Sequence, residues 1–409
     1  MKTLMFVPAS WNLAETSRCV QIAKAVKNDY NIIFLSFGGQ FEELISNENF
    51  IIEKLTPRLT NEKISYIYKI DQGEKFGEMF SVAEITARAK SQIKMITKYQ
   101  PAAIITGFEL TTSISAKVTN TTLIWLTQST WDLPQMIKLG LGNYTDDFDL
   151  PIFRLLTSKI KKWLSVKMIN FFGSHIAKPY NQVANNFGLE SFKRMESLWQ
   201  GTYNLLPEPN DFSGNTEIPS TYYYIGPLPA RINVPIPDNV KNIPNDKPTI
   251  YFAMGSSGRF KIIKNIIEGF KDQPFRVIAP IKKKIDGKRI KVPENVIITN
   301  WLPALEISKN VNLSVIHGGI GTVMTAALAG KPVIGIGMMY EQEYNIECLV
   351  RKGFAKRISR NRLTPKLLNQ TILNLLNDKE ATKKALEYQK IIQQWNAPEL
   401  IREFFKKKI

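Results

Sequence analysis

The sequence predicts an α/β fold of two doubly wound parallel sheets, and three observations carry that expectation. Short apolar runs alternate with amphipathic helical stretches along most of the chain, the sign of a parallel sheet with helices on both faces. A Pro-, Asn- and Asp-rich stretch at 231–248 interrupts the alternation, which then starts afresh. The length of 409 residues also exceeds what one core comfortably holds. Two domains are therefore expected, at 1–235 and 249–385, joined by a linker at 236–248.

In the first half, an apolar run at 3–7 precedes a loop and a helix over about 15–27. There Cys19, Ile22, Ala23 and Val26 recur on one face. Further strands are expected at 31–37, closed by Gly38-Gly39, at 51–55, at 102–106 after Pro101 and at 122–127, with a helix at 81–98. Ligands of such sheets gather at the carboxyl ends of the strands. Residues 152–172 break the rhythm, interleaving Arg154, Lys159, Lys161, Lys162 and Lys167 with Leu155, Leu156, Ile160, Trp163, Leu164, Phe171 and Phe172. That composition suits a helix lying in a membrane interface, or a surface helix whose lysines snorkel. The second half opens with a strand at 249–254, the turn Gly255-Ser256-Ser257-Gly258 and a helix to Phe270, with strands following at 275–279 and 296–299. The last stretch, 386–408, reads as helical with a break at Pro398.

Composition narrows the class. Apolar residues make up 44% of the chain, ordinary for a globular protein, and no apolar run is long enough to span a bilayer. The apolar core at 4–7 is too short for a signal peptide. Cys19 and Cys348 lie far apart and match no metal-ligand spacing, so reduced thiols in a cytoplasmic setting are expected. The net charge of +18 fits either attachment to the anionic inner face of a membrane or a lysine-rich proteome. No basic and aromatic module of the nucleic-acid-binding kind accompanies it, so no nucleic acid partner is expected.

The chemistry concentrates at 312–355. An apolar run at 313–316 meets the turn His317-Gly318-Gly319-Ile320-Gly321-Thr322. Residues 323–329 suit a helix stopped by Gly330 and Pro332, and 333–336 return as a strand. Glycines leave no Cβ between backbone N–H groups and a ligand, and a helix behind them adds partial positive charge, so the turn suits a diphosphate. Gly330-Lys331 lacks the preceding glycine and following Ser or Thr of a P-loop. Gly319-x-Gly321 lacks the third glycine of the dinucleotide motif.

Five elements in order resemble the donor-binding signature of the UDP-glycosyltransferase superfamily, of bacterial macrolide or antibiotic type. They are Trp301-Leu302-Pro303, the HGGIGT turn, Ala327-Leu328-x-Gly330-x-Pro332, Glu341-Gln342-x-x-Asn345 and Gly353-x-Ala355. The resemblance implies the GT-B fold: two Rossmann-like domains facing across a cleft, the acceptor bound by the first and the nucleotide sugar by the second. A final helix within 386–409 would cross back to the first domain. The implied enzyme moves a hexose from a UDP-sugar, or a TDP-sugar, to a small-molecule or lipid acceptor, with inversion and without a metal. The sugar nucleotide is a co-substrate, and no cofactor is implied. By the same resemblance His317 and the amides of Gly319, Gly321 and Thr322 hold the diphosphate, and Ser256, Ser257 and Gly258 approach it from the facing loop. Trp301 stacks on uracil, while Glu341 and Gln342 bind sugar hydroxyls, Glu341 replacing the more usual Asp.

The chain departs from the resembled pattern in ways that matter. Ala304 stands where many relatives have Gln, and Thr325 where a ribose-binding Glu often lies. On the acceptor side, Glu15 occupies the place of the general-base histidine, and the Asp that orients that histidine falls at Gly107, with Glu109 two residues on. A carboxylate base needs no orienting partner, so the two losses are consistent. Glu15 reads equally as an acidic residue favoured at a helix N-terminus. Asp147-Phe148-Asp149 mimics the metal-binding motif of the other glycosyltransferase fold, but inside an acidic run it is expected to be a solvated loop. Two other functions stay open. One is a lipid-directed enzyme similar to bacterial N-acetylglucosaminyl- and diacylglycerol-glycosyltransferases. The other is a non-catalytic sugar-nucleotide-binding partner of another enzyme.

Overall fold

Two parallel sheets with the same winding organise the chain. The computed structural model describes residues 1–71, 74–75, 77–214, 217–254 and 259–409, so Ser256, Ser257 and Gly258 lie outside the described residues. The first sheet comprises β1 (Thr3–Phe6), β2 (Asn31–Ser36), β3 (Ile51–Lys54), β4 (Ala103–Thr106), β5 (Leu123–Leu126), β6 (Tyr203–Leu206) and β7 (Tyr222–Tyr224). Its order is β3-β2-β1-β4-β5-β6-β7. The second comprises β8 (Thr249–Ala253), β9 (Arg276–Ala279), β10 (Val296–Ile298), β11 (Leu313–Ile316), β12 (Val333–Gly335) and β13 (Ala355–Arg357), in the order β10-β9-β8-β11-β12-β13. Register is parallel at both centres, with Met5 beside Ile104 and Val315 beside Phe252. Strands β4, β5, β8 and β11 are buried at every position, because helices cover both faces.

Strand order reverses between β1 and β4, and again between β8 and β11. At such a switch point the loops leaving two neighbouring strands part in opposite directions and open a crevice. The loops after β1 and β4 bring Glu15 and Gly107 to one crevice, and the loop after β11 brings His317 to the other.

Several elements were not foreseen. β6 (YNLL), β7 (YYY) and β13 (AKR) are only three or four residues long, too short to give an apolar run. The helix Thr111–Val118 is rich in Thr and Ser, poor helix formers, yet six of its residues are buried, so packing overrides propensity. The helix behind the glycine turn begins at Ile320 rather than 323, with Gly319 as its N-cap, so the end of the turn is the first turn of the helix.

The chain ends in two helices, not one broken at its proline. Lys379–Gln393 packs on the second sheet, and Ala397–Lys408 returns to the first with Pro398 in its opening turn. That last helix lies on the helix Leu13–Val26, where Ile401, Phe404 and Phe405 join the core of Leu4, Phe6 and Ile22. The acidic run 146–149 is corrected from a solvated loop to a bolt between the two halves. Asp146 is fully buried. Its Oδ1 accepts from Arg357 Nη1 at 2.6 Å and its Oδ2 from the Arg360 N–H at 2.7 Å, while Asp147 pairs with Arg360 and Asp149 with Arg362.

Candidate active site

Two adjoining cavities meet at His317 and Thr322. The larger, about 620 Å³, lies over the second sheet and is lined there by Tyr251, Ala253, Trp301, Ala304, Thr325 and Ala326. Asn12, Phe41 and Tyr68 of the first half close it. The smaller, about 190 Å³, lies between the halves and holds Glu15, Arg18, Phe108, Gln128, Trp131 and Trp199, facing Gly319–Thr322.

His317 caps the end of β11. Its Nδ1 lies 3.3 Å from the Ala253 carbonyl oxygen, which can only accept, so Nδ1 carries the proton and Nε2 is left as an acceptor. Burial, opposed by that backbone bond, pushes the imidazole down to about 4, so it is neutral at physiological pH. Gly318 has φ +91°, and a Cβ there would sit 2.5 Å from the Gln342 carbonyl oxygen, so glycine is required. Gly319 then starts the helix Ile320–Ala329, leaving the Ile320 and Gly321 amides without intrahelical partners, whereas the Thr322 N–H, also expected to hold the diphosphate, already donates to the Gly319 carbonyl at 2.9 Å.

Glu15 sits in the first turn of Leu13–Val26, but it does not cap it. Asn12 does, accepting from the Ala14 and Glu15 N–H groups. The Glu15 carboxylate instead reaches across to the loop after β4, where Oε1 accepts from Gly107 N–H at 2.8 Å and Phe108 N–H at 2.7 Å. Oε2 is buried with no partner among the described residues. Burial pushes this carboxyl up to about 7, against the pull of the Gly107 amide and of the Arg18 charge.

The halves are joined above this pocket by a polar network. Glu341 Oε1 accepts from Gln128 Nε2 at 2.7 Å and from Asn345 Nδ2 at 3.1 Å, and Thr130 donates to Asn345 Oδ1 at 2.8 Å. Burial pushes Glu341 up to about 7. The Gln342 side chain accepts from the Met338 N–H and lines the smaller cavity.

Residues 253–396 match the model of the glycosyltransferase family 28 C-terminal domain. The PGL/p-HBAD biosynthesis glycosyltransferase of Mycobacterium tuberculosis (strain ATCC 25177 / H37Ra) is 22% identical over 379 residues, 92% of this chain and 85% of that protein. Among solved structures, spinosyn forosaminyltransferase SpnP superposes with a TM-score of 0.71 at 13% identity, covering 99% of this chain and 98% of that one. Glycosyltransferase VinC in complex with DTDP gives 0.68 at 15% identity, with 99% of each chain covered. This chain is a glycosyltransferase of GT-B type.

In this GT-B glycosyltransferase, then, His317, Gly319, Gly321, Thr322, Glu341, Gln342 and Glu15 converge on one cleft, and Trp301 stands half-buried at the wall of the larger cavity, its ring 6.1 Å from Phe41. Glu341 differs from expectation in that one carboxylate oxygen is already engaged across the cleft. Three features escaped the sequence. Trp131 and Trp199 meet edge to face at 5.0 Å in the smaller cavity, from segments with no regular pattern. Asp71, at the end of the helix Asn61–Asp71, lines the same cavity and is pushed up to about 6 by burial. Lys284 lines the larger cavity, and burial pushes its amine down to about 8; the run Lys282–Lys284 after β9 was its only signal.

Proposed function

We propose that this glycosyltransferase moves a hexose from a UDP-sugar, or a TDP-sugar, to a hydroxyl of a hydrophobic small molecule or lipid, with inversion and without a metal. The observation that carries the reading is Glu15 itself: it shares the lining of the smaller cavity with Gly319–Thr322, and its buried Oε2 has no partner among the described residues. A base poised near 7 is half ionised at neutral pH and strong enough to take a hydroxyl proton.

Glu15 Oε2 takes the acceptor O–H proton as that oxygen bonds to the anomeric carbon from the face opposite the diphosphate. The bond from that carbon to the diphosphate oxygen breaks, and its electron pair leaves with the nucleoside diphosphate. Negative charge gathering there meets the free amides of the helix start, with His317 and Lys284 alongside. The aromatic walls Phe108, Trp131 and Trp199 suit an apolar acceptor. Trp301 would stack on the base and Gln342 would bind the sugar.

The non-catalytic reading is less well supported, because a carboxylate in the cavity lining, held by two amides and with its second oxygen unpartnered, is positioned as a base would be. We also propose a cytoplasmic enzyme held at the inner face of a membrane; among the described residues no helix is long and apolar enough to cross one. The test is release of UDP or TDP from a panel of sugar nucleotides, with thermal shift alongside. Shift without turnover, on any acceptor or on water, would leave only the binder. Neither shift nor turnover would sink the donor assignment.

A further inference from the structure

Residues 150–176 present a surface the transfer reaction does not use. Of the fifteen large hydrophobic side chains that stand exposed among the described residues, nine fall in this stretch. It forms the short helix Pro151–Arg154 and the long helix Ser158–Asn186. The long helix packs inward through Ser165, Gly173, Ala177 and Tyr180, while Ile160, Met168 and Phe171 lie on its opposite side. Leu155 is 92% exposed, Trp163 59% and Phe171 61%. A soluble surface helix turns its polar side outward; this one turns apolar and aromatic side chains outward and keeps lysines among them.

A second observation adjoins the first. A groove of about 670 Å³ opens beside the start of the long helix, lined by the cations Arg154, Lys161, Lys356, Arg357 and Arg362 against the acids Asp149 and Asp378. Arg357 is tied to Asp146, while Arg362 and Arg154 share Asp149. Lys161 and Lys356 have no ion-pair partner among the described residues. Arg154 and Lys161 belong both to the groove and to the apolar helices, so cationic groove and apolar surface are continuous.

We infer that this surface docks the enzyme on an anionic lipid bilayer, with Leu155, Trp163 and Phe171 entering the interface and the groove receiving lipid phosphates. Charge complementarity decides for a bilayer over a second copy: a copy carrying +18 would bring like charges together, whereas an anionic leaflet meets lysines and exposed aromatics with the chemistry each requires. The purpose of docking rests on the proposed lipid-soluble acceptor; the docking itself does not.

The test is co-sedimentation of the full chain, with no donor present, on phosphatidylcholine vesicles with and without phosphatidylglycerol. Binding is expected only with the anionic lipid and should weaken with salt. Lys161→Ala with Lys356→Ala should lower partition by roughly 25-fold, at about fivefold per lysine. Trp163→Glu with Phe171→Glu should abolish most of it. Melting temperature and the shift given by UDP are measured on each variant to show that the fold is kept. Equal binding to neutral and anionic vesicles, no binding to either, or binding unchanged by these substitutions would overturn the inference. So would a dimer in solution that Trp163→Glu dissolves. If docking fails while sugar transfer to a soluble acceptor persists, the reaction stands and only the docking falls; the converse result removes the reaction alone.

Discussion

Gly107 holds Glu15 by its backbone: the Gly107 N–H donates to Glu15 Oε1 at 2.8 Å, and a Cβ on residue 107 would lie 3.4 Å from Glu15 Cγ and 3.1 Å from the Leu126 carbonyl oxygen. The two residues are matched. A Cβ at 107 would press on Leu126 and only touch the Glu15 side chain, while the two loop amides at 107 and 108 orient the acid as a second carboxylate would orient a histidine.

Glu15→Gln keeps an oxygen for those two amides and removes basicity. Turnover should fall roughly 10²–10⁴-fold, the range of a positioned general base, with the affinity for the nucleotide unchanged. In the parent, kcat/KM should rise with pH through about 7 as Glu15 ionises. Stability runs the other way. The native state holds a proton on Glu15 between about 4.5 and 7 that the unfolded chain releases, so its stabilising effect is full below 4.5 and lost as pH rises through 7. Glutamine does not titrate, so the melting temperature of the variant relative to the parent should climb from pH 5 to pH 8. A loss below tenfold in turnover with the fold intact removes Glu15 as the base.

His317 makes a different demand. Its Nε2 bears no proton while Nδ1 bonds Ala253, so a diphosphate can accept a hydrogen bond there only if the ring takes up a proton from solvent. Binding of a UDP-hexose, whose diphosphate does not titrate near neutrality, should therefore take up a proton and weaken as pH rises above about 4 toward the higher value of the bound state. Calorimetry in buffers of different ionisation enthalpy reads that uptake directly. His317→Ala should bind more weakly and lose the buffer dependence; a parent with no proton uptake would show that His317 stays neutral and does not donate to the ligand.

The glycine-turn side of the cleft was legible as structure because its parts are local. The HGGIGT turn, the strand before it and the helix after it are contiguous, and glycine spacing alone states what the backbone must do at Gly318. Glu15 was also legible, since its position after β1 is set by chain order. Its partner was not: the bond to Gly107 joins residues 92 apart in sequence through two amides, and backbone donors leave no residue signature. The bolt at Asp146 was misread for a related reason. An acidic run signals solvent unless the arginines that neutralise it are known, and here they lie more than 200 positions away, on and just after an edge strand that has no apolar pattern.

That bolt should be worth more than its surface neighbour. Asp146 accepts from Arg357 and from the Arg360 amide while fully buried, and its own N–H donates to Glu343 Oε2 at 3.0 Å. Glu343 is pushed up to about 8, first by burial and then by the charge of Asp146. Asp146→Ala leaves Arg357 without its acid and should cost about 3 kcal/mol in urea denaturation, the low end for a broken buried pair, since Arg357 keeps some solvent. Asp147→Ala breaks only a half-exposed pair with Arg360 and should cost under about 1 kcal/mol. Equal losses would mean that burial of Asp146 does not set the strength of the contact between the halves.

The larger cavity bears on UDP against TDP, which differ at the ribose 2′-hydroxyl and the base methyl. A site built to bond a hydroxyl rejects an analogue lacking it by roughly 10⁴-fold, because its own polar group is left unpaired. Thr325, where a carboxylate would take that hydroxyl, is buried, and its Oγ1 already donates to the Gly321 carbonyl at 2.7 Å. Ala304 and Ala326 beside it offer no polar side-chain atom. UDP and TDP should therefore bind within about tenfold of each other, far short of hydroxyl-reading discrimination. Trp301→Ala should weaken both alike, by about 1–3 kcal/mol if the ring stacks on the base. Thr325→Glu should restore a preference for UDP, provided its melting temperature shows that the buried position accepts the larger side chain. Titration calorimetry of both nucleotides on parent and variants decides it: a parent preference above a hundredfold for UDP would show that another group reads the ribose, and unequal losses at Trp301→Ala would show that the indole contacts more than the shared face of the base.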